Sequence, residues 1–259
     1  MTPPASLRAL LTSTAMSLLI VGCNEMAFRL PDSAVRFVAF GDSTTQGPAR
    51  HDYADVLPGL LNEPASAFAK EGKGGETAQD GVARLRSLWS LNLYPDANVL
   101  LYWEGAGGLI DFVQNHDPLV VLSPDDPSYP FSAALNQELQ DIQNAIESAI
   151  QIGQQGGLQV FVANYYSLKG DNLECDPLLF NVLLPQQEVI ANQYLRRLNE
   201  RIDLAASNQG AILVDIAAQD ATLQADTANY FNCNHLSAAG NDIVAGIFAQ
   251  TIRDHRPAQ

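Results

Sequence analysis

Basic side chains are scarce in this chain. It carries 14 Lys and Arg against 29 Asp and Glu over 259 residues, a formal charge of −15. A field of that sign disfavours nucleic acid and anionic surfaces, so no nucleic-acid partner is expected. Cysteine is rarer still, with three residues. The four histidines, His51, His116, His235 and His255, are scattered. No Cys or His spacing marks a metal site, and no phosphate-cradling loop follows the first strand, so no cofactor is expected. Internal repeats and low-complexity tracts are absent. What is present in quantity is apolar: 47% of the residues are hydrophobic, and the length suits one sizeable α/β core.

An apolar stretch lies at the N-terminus. Residues 1–22 hold one basic side chain, Arg8, and no acid, with Leu18-Leu19-Ile20-Val21 near the end. The run is too short to span a membrane and has the pattern of a secretory signal. It ends in Ile20-Val21-Gly22-Cys23, which resembles a bacterial lipobox. The resemblance implies that Cys23 is lipidated and becomes the N-terminus, with residues 23–33 as a tether and 34–259 as one domain. The protein would then sit in a bacterial cell envelope, at the outer membrane or periplasmic face, held by its lipid anchor only. Export also permits disulfides, so Cys175 and Cys233 are candidates for a bridge; two separately buried thiols are the alternative.

From residue 35 the chain alternates between strand and helix patterns. Val35-Arg36-Phe37-Val38-Ala39-Phe40 reads as a strand buried on both faces, stopping at Gly41-Asp42-Ser43. A short helix is expected over Tyr53–Leu61. Ala67–Lys70 is a poor strand candidate and precedes the Gly-rich turn Glu71–Thr77. Val82, Leu85, Leu88 and Leu91 give a helical stripe, and Ala97–Glu104 reads as a central strand. Leu109–Phe131, with Pro118, Pro124, Pro127 and Pro130, is expected to be mostly loop. A helix carrying Leu135, Leu139, Ile142, Ile146 and Ile150 follows, then a strand over Leu158–Ala163 and a loop over Ser167–Leu184. Pro185 opens a helix with Ile190, Tyr194, Leu198 and Ile202 on its apolar side. Ala211–Asp215 is the last strand, and Ala238–Arg253 the closing helix, with Ile243, Ile247 and Ile252 inward. Strands separated by helices of this length imply a doubly wound parallel sheet of about five strands.

Four motifs stand at strand ends or helix starts: Gly41-Asp42-Ser43, the turn before Glu76-Thr77, the Gly105-Ala106-Gly107-Gly108 break, and Asn232-Cys233-Asn234-His235. In this order they resemble the SGNH (GDSL) esterase and lipase family, over about Arg36 to Ile252. The resemblance implies a flavodoxin-like sheet of order 2-1-3-4-5. It implies Ser43 as nucleophile, His235 as base, and an oxyanion hole built from the N–H groups of Ser43 and Gly75. It implies a two-step acyl transfer on a small ester, a lipid or an acylated glycan.

Two positions depart from that pattern. Gly107 stands where the family has an Asn whose amide is the third oxyanion donor. Asn232 stands where it has the Asp that orients the histidine. Asn232 can present its carbonyl oxygen to the imidazole N–H. Asn164, at a strand end, and Asn115, in the insertion, are candidates to replace the missing amide. The sequence therefore supports an exported serine ester hydrolase, with a catalytically degenerate relative that binds glycan or envelope polymer as the alternative.

Overall fold

Phe37–Gly41 forms strand β1, and all five of its residues are buried. The computed structural model describes residues 29–171, 173–175 and 183–255. The leader over 1–22, Cys23 and the first part of the 23–33 tether lie outside the described residues. Four further strands pair with β1 directly or in series: β2 (Phe68–Gly72), β3 (Val99–Trp103), β4 (Gln159–Ala163) and β5 (Ile212–Val214). Their order is β2-β1-β3-β4-β5, and every pairing is parallel. This is the α/β, flavodoxin-like order that the resemblance implies. The apolar runs of β1 and β3 follow from their central places, where both faces are covered.

Among the described residues, eight α-helices connect or follow these strands: α1 (Ser43–Gln46), α2 (Tyr53–Leu61), α3 (Ala78–Ser90), α4 (Ala106–His116), α5 (Ser132–Gln155), α6 (Pro185–Gln209), α7 (Asp220–Gln224) and α8 (Ala238–His255). α2 packs on α8, while α3, α4, α5 and α6 pack on one another as a second group. Right-handed crossovers carry the two groups to opposite faces of the sheet. The core runs through both, from Phe37, Phe40 and Trp103 in the sheet to Leu139 and Ile146 of α5 and Phe248 of α8.

The pairing register sets the level at which the loops leave the sheet. Gly41 is paired with Gly72 on one side and with Trp103 on the other. The chain after β1, β2 and β3 therefore emerges at one edge. Two glycines let α1 settle there. A Cβ on Gly41 would lie 2.4 Å from the Trp103 carbonyl oxygen, and one on Gly72 would lie 2.1 Å from the Gln46 nitrogen. Any side chain at either position would lift α1 off the sheet.

Several local expectations need correction. Most of the segment 109–131 is loop, as expected, but its first turns, Leu109–His116, belong to α4. All four prolines lie beyond its end, and Gly105, at φ 139°, makes the turn from β3 into the helix. The poor strand candidate is a real strand: β2 tolerates Lys70 and Glu71 because it is an edge strand, partly exposed along its length. Leu91 is the C-cap of α3 and is 44% exposed. The inward face of α8 is Val244, Ala245, Phe248, Ala249 and Ile252, with Ile243 and Ile247 only half-buried at its margin. The stripes given for α5 and for Tyr194, Leu198 and Ile202 of α6 are buried as expected.

Candidate active site

β1 ends at Gly41, and the next residue turns the chain. Asp42 is the N-cap of α1, its carboxylate accepting from Thr44 N at 2.9 Å and Thr44 Oγ1 at 2.8 Å. Ser43 is thereby the first residue of the helix. The first N–H groups of a helix have no intrahelical acceptor, so the Ser43 N–H is available at the sheet edge.

The loop before α8 brings His235 to this serine. His235 Nε2 lies 2.8 Å from Ser43 Oγ, across 192 residues of sequence. On the other side of the ring, Nδ1 lies 3.2 Å from Asn232 Oδ1. That oxygen also accepts from the backbone N–H groups of His235 at 2.7 Å and Asn234 at 3.1 Å. Two backbone donors fix the facing amide atom as oxygen, since an NH2 could not accept from them. His235 Nδ1 must then be the protonated nitrogen. Nε2 keeps its lone pair and accepts from the Ser43 hydroxyl.

The His235 loop is held from behind. Cys233 forms a disulfide with Cys175, with Cα atoms 4.7 Å apart. The Cys233 N–H donates to the Glu174 carbonyl at 2.8 Å, and the Lys169 N–H donates to the Cys233 carbonyl at 3.0 Å. Of the two readings of Cys175 and Cys233, the bridge is the one observed. The Tyr166 hydroxyl also donates to the Asn234 carbonyl at 2.9 Å.

The Gly-rich turn after β2 also comes close to Ser43. A Cβ on Gly74 would come within 3.6 Å of Ser43 Cβ, and Gly75 adopts φ +73°, with open space in the direction of its missing side chain. Arg84 clamps this turn. Its Nε reaches Glu76 Oε1 and Oε2 at 3.0 and 2.8 Å, its Nη1 donates to the Glu71 carbonyl at 3.0 Å, and its guanidinium lies 3.9 Å from the Phe40 ring centre.

Gly107 has a steric reason for being glycine. A Cβ there would stand 2.2 Å from the Glu76 carbonyl oxygen. The start of α4 is pressed against the Gly-rich turn so closely that no asparagine fits at 107 in this backbone. The two proposed replacements do not reach the site. Asn164 is buried and its amide donates to Asp215 at 2.9 Å and accepts from Ala217 N at 2.9 Å. Asn115 Nδ2 donates to the Asp111 carbonyl one turn back on α4.

Tyr165 is the site residue that sequence reading missed. Its hydroxyl donates to Asp42 Oδ2 at 2.5 Å and accepts from the Ala106 N–H at 3.2 Å. It links the ends of β1, β3 and β4 directly beneath Ser43. Burial pushes the Asp42 carboxyl up, against the pull of the Tyr165 and Thr44 hydrogen bonds. Burial and the Asp42 charge hold the Tyr165 phenol well above its ordinary value, so it stays a donor. The only sequence signal was an aromatic residue just past a strand end.

A cavity opens beside Ser43, between α4 and α6. Among the described residues no three His, Cys, Asp or Glu side chains gather as a metal site, and no helix is long and apolar enough to cross a membrane.

The sheet order, the strand-end loops and the Ser43–His235 contact define the class of fold: the chain has the SGNH (GDSL) hydrolase fold. Solved structures similar to it include an α/β hydrolase enzyme from the metagenome of Lake Arreo, Spain. It is 16% identical, with 90% of this chain and 100% of that one covered at a TM-score of 0.57. A GDSL-like lipase from Bacteroides thetaiotaomicron is 16% identical, covering 89% and 94% at 0.53. A catalytic mutant of an acetylxylan esterase from Geobacillus stearothermophilus is 18% identical, covering 85% and 94% at 0.53. No protein-family model and no curated protein matches the chain.

Proposed function

We propose that this chain is an exported, lipid-anchored serine ester hydrolase that works through an acyl-enzyme. The observation that carries the reading is the line from Asn232 Oδ1 through the His235 ring to Ser43 Oγ, which fixes the imidazole in the tautomer a general base needs. His235 Nε2 takes the Ser43 proton as Oγ attacks the ester carbonyl carbon. The oxyanion is met by the N–H groups of Ser43 and Gly75. The His235 imidazolium returns the proton to the departing alkoxide, which leaves as the alcohol. Water then repeats the sequence on the acyl-serine, releasing the carboxylic acid and restoring Ser43.

The glycan-binding reading keeps one observation in its favour. Gly107 packs on the Glu76 carbonyl, so the third oxyanion donor has no room. Loss of one such donor costs about 10²–10³ in rate in an unrelated protease. Turnover is therefore expected to be slow but measurable. A fluorophosphonate should label the protein at Ser43, and Ser43→Ala should abolish both labelling and hydrolysis of a p-nitrophenyl ester. Wild-type protein that is neither labelled nor active would overturn the hydrolase in favour of the binder.

A further inference from the structure

The geometry points to the cavity beside Ser43 as an acyl-chain site, which makes the substrate a medium-chain ester; this rests on the ester-hydrolase reading above. The walls are two helix stripes facing each other. Leu109, Ile110 and Val113 follow Ala106 along one side of α4, and Ala191 and Leu195 line the cavity from α6. Those spacings of three and four residues place each set on a single helix face.

The hydroxyls around this space are already engaged. Tyr165 is bound to Asp42 and to the Ala106 N–H, and Tyr166 to the Asn234 carbonyl. The Tyr194 hydroxyl meets Tyr129 Oη at 2.9 Å and the Leu122 carbonyl at 3.1 Å. A sugar drawn into the cavity would leave its own hydroxyls unpaired, at a cost no apolar wall offsets. An alkyl chain carries no such groups, and burying it is favourable.

The cavity also has a direction. Ala106 reaches Asp42 through the Tyr165 hydroxyl, and Asp42 is the residue before Ser43. The α4 stripe thus begins at the nucleophile and runs away from it. From Ala106 to Val113 it covers about 10 Å at 1.5 Å per residue. An extended alkyl chain built from C–C bonds of about 1.5 Å fills that length with roughly eight carbons. The acyl group therefore lies along α4, and the alcohol faces solvent on the His235 side.

The test is a series of p-nitrophenyl esters from acetate to dodecanoate, hydrolysed by the full chain. Values of kcat/KM should rise about fourfold per added methylene up to about octanoate, the gain from burying each CH2, and then level or fall. Val113→Trp, at the far end, and Ala191→Phe, in the facing wall, should each cut the octanoate-to-acetate ratio by at least about tenfold. Measurable turnover that is flat or highest for acetate would overturn the acyl site while leaving the hydrolase reading intact. A second arm is independent of turnover. The Ser43→Ala protein should gain thermal stability with octanoate and none with acetate at the same concentration. If octanoate leaves its melting temperature unchanged, the cavity is not an acyl site, whether or not the wild type hydrolyses esters.

Discussion

Asn232 Oδ1 accepts from two backbone N–H groups as well as from the imidazole, and that arrangement decides which ring nitrogen carries the proton. In trypsin, replacing the triad Asp by Asn costs about 10⁴ because the tautomer is wrong. Here the amide is pinned with its oxygen toward the ring, so the tautomer is right. What the amide lacks is charge. A charge-assisted hydrogen bond is worth roughly 1 kcal/mol more than a neutral one, which is about fivefold in rate. Asn232→Asp is accordingly expected to raise kcat/KM about fivefold. A carboxylate at 232 also favours the imidazolium, so the acid limb of the pH–rate profile should move to higher pH. Unchanged or reduced activity with an unmoved limb would mean that the neutral amide already meets the demand. Asn-x-x-His was legible as a motif from its spacing. Tyr165 was not, because its partner Asp42 is 123 residues away and only the sheet brings them together.

The strand ends show the same dependence on context. Beneath the Gly-rich turn, Glu104 follows β3 and is 1% exposed. As an ion it has no hydrogen-bond partner, with Arg84 Nη2 no nearer than 3.7 Å. Burial, then the charges of Asp42 and Glu76, push its carboxyl well above its ordinary value of 4.5, and once protonated it donates to Glu76. The consequence for stability has a definite sign. The folded chain holds this proton more tightly than the unfolded chain does. Its contribution is full below about 4.5 and is lost as pH rises through the folded value. Glu104→Gln has no proton to lose. Its melting temperature should exceed that of the wild type at pH 8 by about 3–9 °C, from about 1–3 kcal/mol, and the difference should shrink towards pH 4.5. A difference independent of pH would place the proton elsewhere in the cluster. α4 belongs to this scale too. Its stripe was readable in principle from residues 106 to 113, but the prolines beyond its end, which do mark a loop over 117–131, hid the helix before them.

Across the whole molecule, His235 is held to the rest by the 58-residue loop that the Cys175–Cys233 bridge closes. Closing a loop of that length contributes about 4 kcal/mol in the chain-entropy account. A disulfide of this kind persists in an oxidising compartment. Cys23 is the residue that would join this fold to a membrane. One acyl chain anchors marginally and several anchor firmly. Cys23→Ser is expected to block lipidation and to remove the protein from the membrane fraction. A variant that fractionates and is processed like the wild type would refute the lipobox.

The sequence by itself determined the sheet class, the strand order through resemblance, and the positions of Ser43, His235 and Asn232. These rest on local signals: apolar runs buried on both faces, tight polar turns at strand ends, and a three-residue spacing within one loop. The disulfide was left open, since pairing depends on where two loops meet. Tertiary structure alone decided that bridge, the Tyr165–Asp42 contact, the helix at 106–116 and the reason for Gly107. Each depends on how closely separate elements approach at the sheet edge. At Gly107 that approach is the 2.2 Å between a would-be Cβ and the Glu76 carbonyl, a distance set by packing α4 on the turn after β2.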